Sequence, residues 1–98
     1  MQFDEFSKSI NGAFPPKNIN QYALALWHDA KGNWETAHNI VQDLEDKTAE
    51  RIHAYLHRKE GDTANARYWY NRAGTKMPSY SLEKEWEEIV KDIIELRA

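Results

Sequence analysis

The chain has 98 residues, and its 13 Lys and Arg against 16 Asp and Glu give a formal net charge of −3, without a general bias toward nucleic acid. It contains no cysteine, which excludes disulfides, thiolate metal sites and a cysteine nucleophile. No apolar run approaches the roughly 20 residues of a membrane span, and the first residues lack the pattern of a secretory signal. Length and composition therefore predict one cytoplasmic domain, residues 1–98, with no membrane partner.

The first predicted element is a short helical segment at residues 1–12. Its apolar side chains recur at helical spacing, at Phe3, Phe6 and Ile10. Asn11 and Gly12 are typical of a helix end, since glycine adopts the left-handed conformation that stops a helix.

A break in helical structure follows at Pro15 and Pro16, because proline has no amide hydrogen to donate. Asn18 is the predicted N-cap of the next helix, with Gln21 three residues later in the position of a capping box. The first long helix is therefore predicted to begin at residue 19.

Two helical hairpins are predicted after this break, at residues 19–45 and 48–78. Their four helices are predicted at residues 19–31, 34–45, 48–60 and 63–73. Each helix has an apolar stripe at the spacing of one helix face. Gly32 and Gly61 stand at the two predicted turns, where a left-handed residue ends the preceding helix.

The two hairpins align as an internal repeat. A shift of 29 residues places Gly32 on Gly61 and His28 on His57. The same shift aligns the stripe Ala37, Ile40, Val41, Leu44 with Ala66, Trp69, Tyr70, Ala73. A shared turn and a shared stripe indicate tandem helical hairpins.

The last predicted helix, residues 81–97, is amphipathic. Its apolar face consists of Leu82, Trp86, Ile89, Val90, Ile93 and Ile94. A stacked helical array exposes the apolar flank of its last repeat, so we expect this helix to cap that flank and residues 1–12 to cover the other end. A homodimer through the face of Trp86, Ile89 and Ile93 is the alternative.

The second hairpin carries the residues of a recognisable repeat. Residues 62–73 contain an A-x-x-W-Y-x-x-A run and resemble the second helix of a tetratricopeptide-like repeat, with Pro78 at the place of the closing proline. The offset is shorter than the ~34 residues of a tetratricopeptide repeat, and Ala49 stands where the first copy would have its proline. The resemblance implies an all-α fold of two tandem tetratricopeptide-like hairpins, a short right-handed solenoid closed by the C-terminal amphipathic helix.

Residues 53–74, with residues 26–30 before them, also resemble a family of small uncharacterised, mainly bacterial proteins, a resemblance that implies no activity. The leading functional prediction is a non-catalytic module that binds a protein or peptide partner in the groove of the stacked hairpins. The predicted groove residues are His28, Asp29, Tyr55, His57 and Arg58. Arg58 is expected to pair with a carboxylate of the partner.

A metal- or small-ligand-binding site is the alternative, formed by His28, His53 and His57. His53 and His57 are four residues apart on one helix, a spacing that can chelate a divalent ion. In stacked hairpins we expect His28 to lie beside His57, with Asp29, His38 and Glu60 within reach of both. The same histidines can also be interpreted as structural residues of the groove.

An RNA-binding accessory role is the second alternative. It depends on six basic residues interleaved with aromatic ones: Arg51, Arg58, Lys59, Arg67, Arg72 and Lys76. We expect these charges to pair with the acidic last helix, so nucleic acid is not a predicted partner. The chain has no catalytic or glycine-rich phosphate motif, and therefore neither an enzyme nor a cofactor is predicted.

Overall fold

Six α-helices make up the part of the chain described by the computed structural model, residues 1–96, and this part contains no strand. The helices are α1 (Phe3–Ser9), α2 (Gln21–Ala30), α3 (Trp34–Gln42), α4 (Lys47–Glu60), α5 (Thr63–Ala73) and α6 (Leu82–Ile93). The all-α prediction is confirmed. Within the same residues, no helix combines the length and the apolar character needed to cross a membrane. Residue 97, the last of the predicted 81–97 helix, lies outside the described residues.

The start of α2 is fixed by Asn20, whose Oδ1 accepts a hydrogen bond from the backbone of Ala23 at 2.8 Å. The prediction that Asn18 caps this helix is wrong. Asn18 has a left-handed backbone with φ of +65°, whereas Asn20 has the extended conformation of an N-cap. The Nδ2 of Asn20 also donates to the carbonyls of Ile93 at 2.8 Å and Leu96 at 3.0 Å, which ties the start of α2 to the end of α6.

The connection between α3 and α4 is longer than predicted, because α3 ends at Gln42 rather than at residue 45. Asp46 then caps α4: its Oδ1 accepts a hydrogen bond from the backbone of Ala49 at 2.8 Å. Its Oδ2 accepts another from the hydroxyl of Tyr22 at 2.7 Å. Asp46 therefore fixes the start of α4 and joins it to α2.

The turns after α2 and α4 share one geometry. Gly32 and Gly61 both have a left-handed backbone, with φ of +86° and +91°, which other residues rarely adopt. In each turn the next amide donates to a helix carbonyl at 2.9 Å, from Asn33 to His28 and from Asp62 to His57. This bond is typical of a helix that ends with a left-handed glycine. Helix α2 contacts α3 after the first turn, and α4 contacts α5 after the second.

The main core is shared by α1, α2, α3, α4 and α6. Its largest fully buried apolar residues are Phe6, Leu26, Ile52, Leu56 and Ile89. A smaller core of Ala54, Ala66 and Tyr70 joins α4 to α5. Helix α4 therefore takes part in both cores and lies at the centre of the molecule.

The apolar face of α6 is covered by other helices of the same chain. Ile89 and Ile93 are buried in the main core, and Nε1 of the half-buried Trp86 donates to the backbone of α2 at 3.1 Å. A homodimer through this face would require it to be uncovered. Phe3 and Phe6 of α1 also contact Trp86, so α1 lies beside α6 and not at the opposite end of the domain.

Candidate functional site

Two groups of polar side chains lie on different faces of α4. Residues 53 and 57 are on one face and residues 55 and 58 on another, because successive residues of an α-helix are rotated by about 100°. The first face carries the histidine cluster, which consists of His38, His53 and His57. The second carries the carboxylate network, which consists of Asp29 and Glu85 with their donors Tyr55, Arg58, Lys59 and Tyr70.

The three rings of the histidine cluster converge. The Nε2 atoms of His38 and His53 lie 3.0 Å apart. One ring nitrogen from each of the three residues lies within 4.8 Å of the others. His53 and His57 are one turn apart on α4, and α3 brings His38 to them because it packs against α4.

His57 is oriented by Glu60. The Nδ1 of His57 lies 2.6 Å from Oε2 of Glu60, and since a carboxylate only accepts, this nitrogen carries the hydrogen. When Nδ1 alone carries a hydrogen, the lone pair of the ring is on Nε2, which lies 3.4 Å from Nδ2 of Asn65. A carboxylate that fixes the imidazole tautomer in this way is common beside metal-binding histidines.

Two tryptophan rings enclose the cluster. Trp69 stacks on His53 with ring centroids 4.0 Å apart, and Trp34 stacks on His38 with centroids 4.9 Å apart. His53 and His57 are less than a tenth exposed, and His38 is half-buried. The cluster is therefore shielded from water and opens to it beside His38.

Burial lowers the pKa of His53 to about 4, and the neighbouring His38 and His57 act in the same direction. The pKa of His38 is also lowered, by burial and by His57, against the opposite effect of Glu60. His38 and His53 are therefore uncharged at neutral pH. A neutral imidazole is the form that binds a metal ion.

His28 is predicted from the sequence to belong to both candidate sites, but it does not join the histidine cluster. Its ring lies edge-on to Trp27, with the ring centroids 5.2 Å apart. Its Nδ1 is the one buried side-chain polar atom of residues 1–96 that has no hydrogen-bond partner. His38 occupies the position beside His53 and His57, since it is α3 that brings a histidine to this face of α4.

His38 is predicted from the sequence to lie within reach of the histidine site, but the repeat indicated His28 as the third ligand. His38 directly follows Ala37 of the predicted apolar stripe, and Trp34 precedes it by one helical turn. The repeat pairs equivalent positions of successive hairpins, and it therefore pointed to His28. The facing helix supplies the third ring instead.

Asp29 has all its bonding partners inside the chain. The residue is 2% exposed, its Oδ2 accepts from the hydroxyl of Tyr55 at 2.8 Å, and its Oδ1 accepts from Nζ of Lys59 at 2.9 Å. Burial and the Asp29 carboxylate raise the pKa of Tyr55 above its usual value. Two predicted groove residues, Asp29 and Tyr55, are thus acceptor and donor of one hydrogen bond.

Glu85 of α6 is matched in the same way. The residue is 1% exposed, its Oε1 accepts from Nη1 of Arg58 at 2.7 Å, and its Oε2 accepts from the hydroxyl of Tyr70 at 2.6 Å. Arg58 also donates to the carbonyl of Tyr80. Arg58 is therefore engaged within the chain, and the predicted bond to a partner's carboxylate would leave Glu85 buried without its cation.

An open cleft of about 570 Å³ lies between α1, α2, α4 and α6. It is lined by Ser7, Ile10, Asn11, Asp29, Ala30, Tyr55, Lys59, Leu82, Glu83 and Trp86. Asp29 and Tyr55 of the predicted groove line this cleft, whereas His28, His57 and Arg58 are not among its lining residues. Part of the carboxylate network thus forms the polar side of the cleft.

Four of the six basic residues of the RNA-binding alternative form ion pairs within the chain. The pairs are Arg51–Asp92, Arg58–Glu85, Lys59–Asp29 and Arg72–Glu50, with N–O distances of 2.7–2.9 Å. Two of the acidic partners, Glu85 and Asp92, belong to α6. The basic side chains in these pairs are the ones that contacts to phosphates would need.

The structure thus brings together two of the three histidines predicted to bind a metal and adds His38 to them. It also brings together two of the five predicted groove residues at one cleft. Comparisons of the chain with protein-family models, with curated proteins and with solved structures find no match.

Proposed function

We propose that this protein is a small non-catalytic interaction module, and that its cleft binds a short apolar segment of a partner protein. The observation that carries the proposal is the position of α1, a short helix of the chain itself that lies against α2 and α6 at the edge of the cleft. This surface already accepts one apolar helix and leaves open space beside it.

The contacts of α1 indicate which chemistry the surface accepts. The rings of Phe3 and Phe6 each lie 6.0 Å from the ring of Trp86, one edge-on and one stacked, and Phe6 is fully buried. Aromatic pairs of this kind contribute about 0.5–1.5 kcal/mol beyond the burial of their area. Phe3 and Phe6 share one helix face because they are three residues apart. We therefore propose a partner segment with apolar side chains at this spacing.

Helix α1 forms a fixed wall of the cleft. The Nζ of Lys31 donates to the carbonyls of Ile10 and Gly12, both at 2.8 Å, and Nε1 of Trp27 donates to the carbonyl of Ser9 at 3.3 Å. A cation at the end of a helix stabilises the carbonyls that have no partner in the helix. The partner segment is therefore expected beside α1, without displacing it.

The space beside α1 combines apolar walls with a charge at its rim. Ile10, Leu82 and Trp86 provide apolar surface, and the exposed Glu83 adds a negative charge. Apolar surface of a partner that is buried here contributes about 25 cal/mol per Å². The charge of Glu83 would favour one direction of the bound segment.

We further propose that α2 to α5 form two tetratricopeptide-like hairpins with α6 as their C-terminal cap. The shared geometry at Gly32 and Gly61, the contacts within each hairpin and the packing of α6 on α2 and α4 support this arrangement. Stacked hairpins of this class present a concave surface to their partners. The cleft between α2, α4 and α6 has the position expected of that surface.

The matched variants Ala30→Arg and Ala64→Arg test the proposal. Both alanines are exposed on helices, but Ala30 lines the cleft and Ala64 lies on α5, outside it. Nuclease-treated extract of the native host is passed over each immobilised variant and over the wild type. We expect a partner that the wild type and Ala64→Arg retain and that Ala30→Arg loses.

The segment bound by the cleft is then identified in the captured partner by proteolysis and peptide binding. We expect an apolar segment whose large side chains are three or four residues apart. The proposed function would be contradicted if the wild type and both variants retained the same proteins, or if none of the three retained a partner.

A further inference from the structure

We infer that the histidine cluster binds one divalent transition-metal ion, such as Zn²⁺, through the Nε2 atoms of His38, His53 and His57. The ion would join α3 to α4 and so link the two pairs of helices. This inference does not depend on the proposed interaction cleft, because none of the three histidines lines it.

The spacing of the nitrogens fits a small ion. Zn²⁺ binds imidazole nitrogens at about 2.0–2.1 Å in a tetrahedral arrangement, which places two such nitrogens about 3.3 Å apart. The Nε2 atoms of His38 and His53 are 3.0 Å apart. One nitrogen of each of the three rings lies within 4.8 Å of the others, so the rings have to draw closer together for one ion to reach all three.

A metal ion would take the place of the hydrogen bond between His38 and His53. That contact holds one hydrogen, so one ring donates and the other accepts. An ion bound by both Nε2 atoms requires this hydrogen to move to Nδ1 of the donating ring. The Nε2 of His57 has Asn65 as a neighbour at 3.4 Å, which is beyond the usual length of a hydrogen bond. A metal ion can accept the lone pairs of all three rings at once. No hydrogen-bond donor of the cluster can do this.

Glu60 supplies the outer partner that such a site requires. Its carboxylate lies 2.6 Å from Nδ1 of His57 and holds the hydrogen on that atom. This bond fixes the ring orientation and increases the basicity of the other nitrogen. Glu60 is 39% exposed, so it can perform this role without belonging to the core.

The donor atoms select the class of ion. Imidazole nitrogen suits Zn²⁺, Cu²⁺ and Ni²⁺, whereas Mg²⁺ and Ca²⁺ take oxygen ligands. Three protein ligands leave one position of a tetrahedral ion for a water molecule or an anion. The half-buried His38 lies on the side from which this fourth ligand has access.

The experiment is a metal titration of tag-free protein from which metal has been removed by a chelator. Zn²⁺ is titrated in competition with a chromophoric chelator, and Mg²⁺ serves as the control ion. We expect one Zn²⁺ per chain and no binding of Mg²⁺. Co²⁺ in place of Zn²⁺ should give the visible absorption bands of a tetrahedral site.

Two histidine variants assign the binding to the cluster. His38→Gln removes one ligand, and His28→Gln is its matched control because His28 lies outside the cluster. We expect His38→Gln to lose the ion and His28→Gln to bind it like the wild type. The inference is overturned if the wild type binds no zinc, if His38→Gln binds it like the wild type, or if both variants lose it equally.

Glu60→Gln keeps the inference testable if His38→Gln does not fold, which circular dichroism of the metal-free proteins reveals. The substitution affects an exposed side chain and removes only the charge of the outer partner. Loss of such a partner weakens metal binding by about 10–100-fold. An unchanged zinc affinity in Glu60→Gln would overturn the proposed site.

Discussion

The histidine cluster and the carboxylate network are both polar and largely buried, but they differ in how their donors and acceptors are matched. In the network, Asp29 and Glu85 each accept two side-chain hydrogen bonds, at 2.6–2.9 Å. In the cluster, the Nε2 atoms of His38 and His53 face each other, and they share a single hydrogen. Each acceptor of the network is a carboxylate, which can only accept, whereas His38 and His53 can exchange the roles of donor and acceptor.

This difference separates a structural role from a binding role. A buried charge is unfavourable by several kcal/mol unless it is paired, and each buried carboxylate of the network has its own cation, Lys59 for Asp29 and Arg58 for Glu85. These pairs join α2, α4 and α6. We therefore expect the network to determine the stability of the fold and the cluster to determine ligand binding.

Removal of Glu85 should have the largest effect on stability. Glu85→Ala leaves the guanidinium of Arg58 and the hydroxyl of Tyr70 without their acceptor, and breaking a buried ion pair costs about 3–5 kcal/mol. Urea unfolding followed by circular dichroism measures the free energy of unfolding. Glu83→Ala, at an exposed position of the same helix, should change it by about 0.5 kcal/mol or less. Equal effects of the two substitutions would contradict the stabilising role of the network.

Zinc should have the next largest effect. An ion that binds only the folded protein stabilises it by about 2.7 kcal/mol at about 100 times its Kd. Urea unfolding of the wild type with zinc and with chelator measures this increment. His38→Gln should lack it, whereas Ala64→Arg should retain it. An increment of the same size in His38→Gln would mean that zinc acts elsewhere on the protein.

Alkaline pH should weaken the network. Burial raises the pKa of Tyr55 and Tyr70, and their carboxylate partners Asp29 and Glu85 add to this effect. Tyrosine in the unfolded chain ionises near pH 10, so above about pH 10 the folded state keeps protons that the unfolded state has lost, and stability falls as the pH rises. We expect a loss of about 1–2 kcal/mol between about pH 10 and about pH 11.

The double variant Tyr55→Phe/Tyr70→Phe is the control for this pH dependence. All other titratable groups are the same in the variant and in the wild type, so the difference between the two proteins isolates the tyrosines. The variant should have the flatter dependence of unfolding free energy on pH. Parallel curves for the two proteins would contradict the expectation.

His53→Phe should have the smallest effect when no metal is present. Phenylalanine keeps a flat ring against Trp69, and the lost hydrogen bond to His38 is one between neutral groups. We therefore expect the free energy of unfolding in the presence of chelator to change by about 1 kcal/mol or less. A loss as large as that of Glu85→Ala would show that the cluster stabilises the fold as the network does.

The helices could be predicted from the sequence because their signals are local. The predicted helices 48–60 and 63–73 agree with α4 and α5 to within one residue, since apolar spacing and Gly61 define them. The start of α2 could not be predicted in the same way. Asn18 and Asn20 are both capable of capping a helix, and a contact with α6, distant in the chain, accompanies the choice of Asn20.

The sites could be predicted only in part, because they depend on which helices meet. The pair His53 and His57 follows from spacing on one helix, but the third ring comes from α3. Glu85 stands in a helix with many acidic residues, and the spacing from Leu82 and Ile89 that places it on the apolar face was the one sign of its burial. Its partners Arg58 and Tyr70 become apparent only when α6 is packed.

Asn20 also has a consequence for the order in which the chain folds. Its amide bonds to Ile93 and Leu96, 73 and 76 positions later, whereas the two hairpin turns join neighbouring residues. Closing a long loop carries a larger entropic penalty than closing a short one, and local contacts form faster. We therefore expect the hairpins to form first and α6 to dock last. During synthesis, the apolar surfaces of α2 and α4 then remain uncovered until residues 82–96 have left the ribosome.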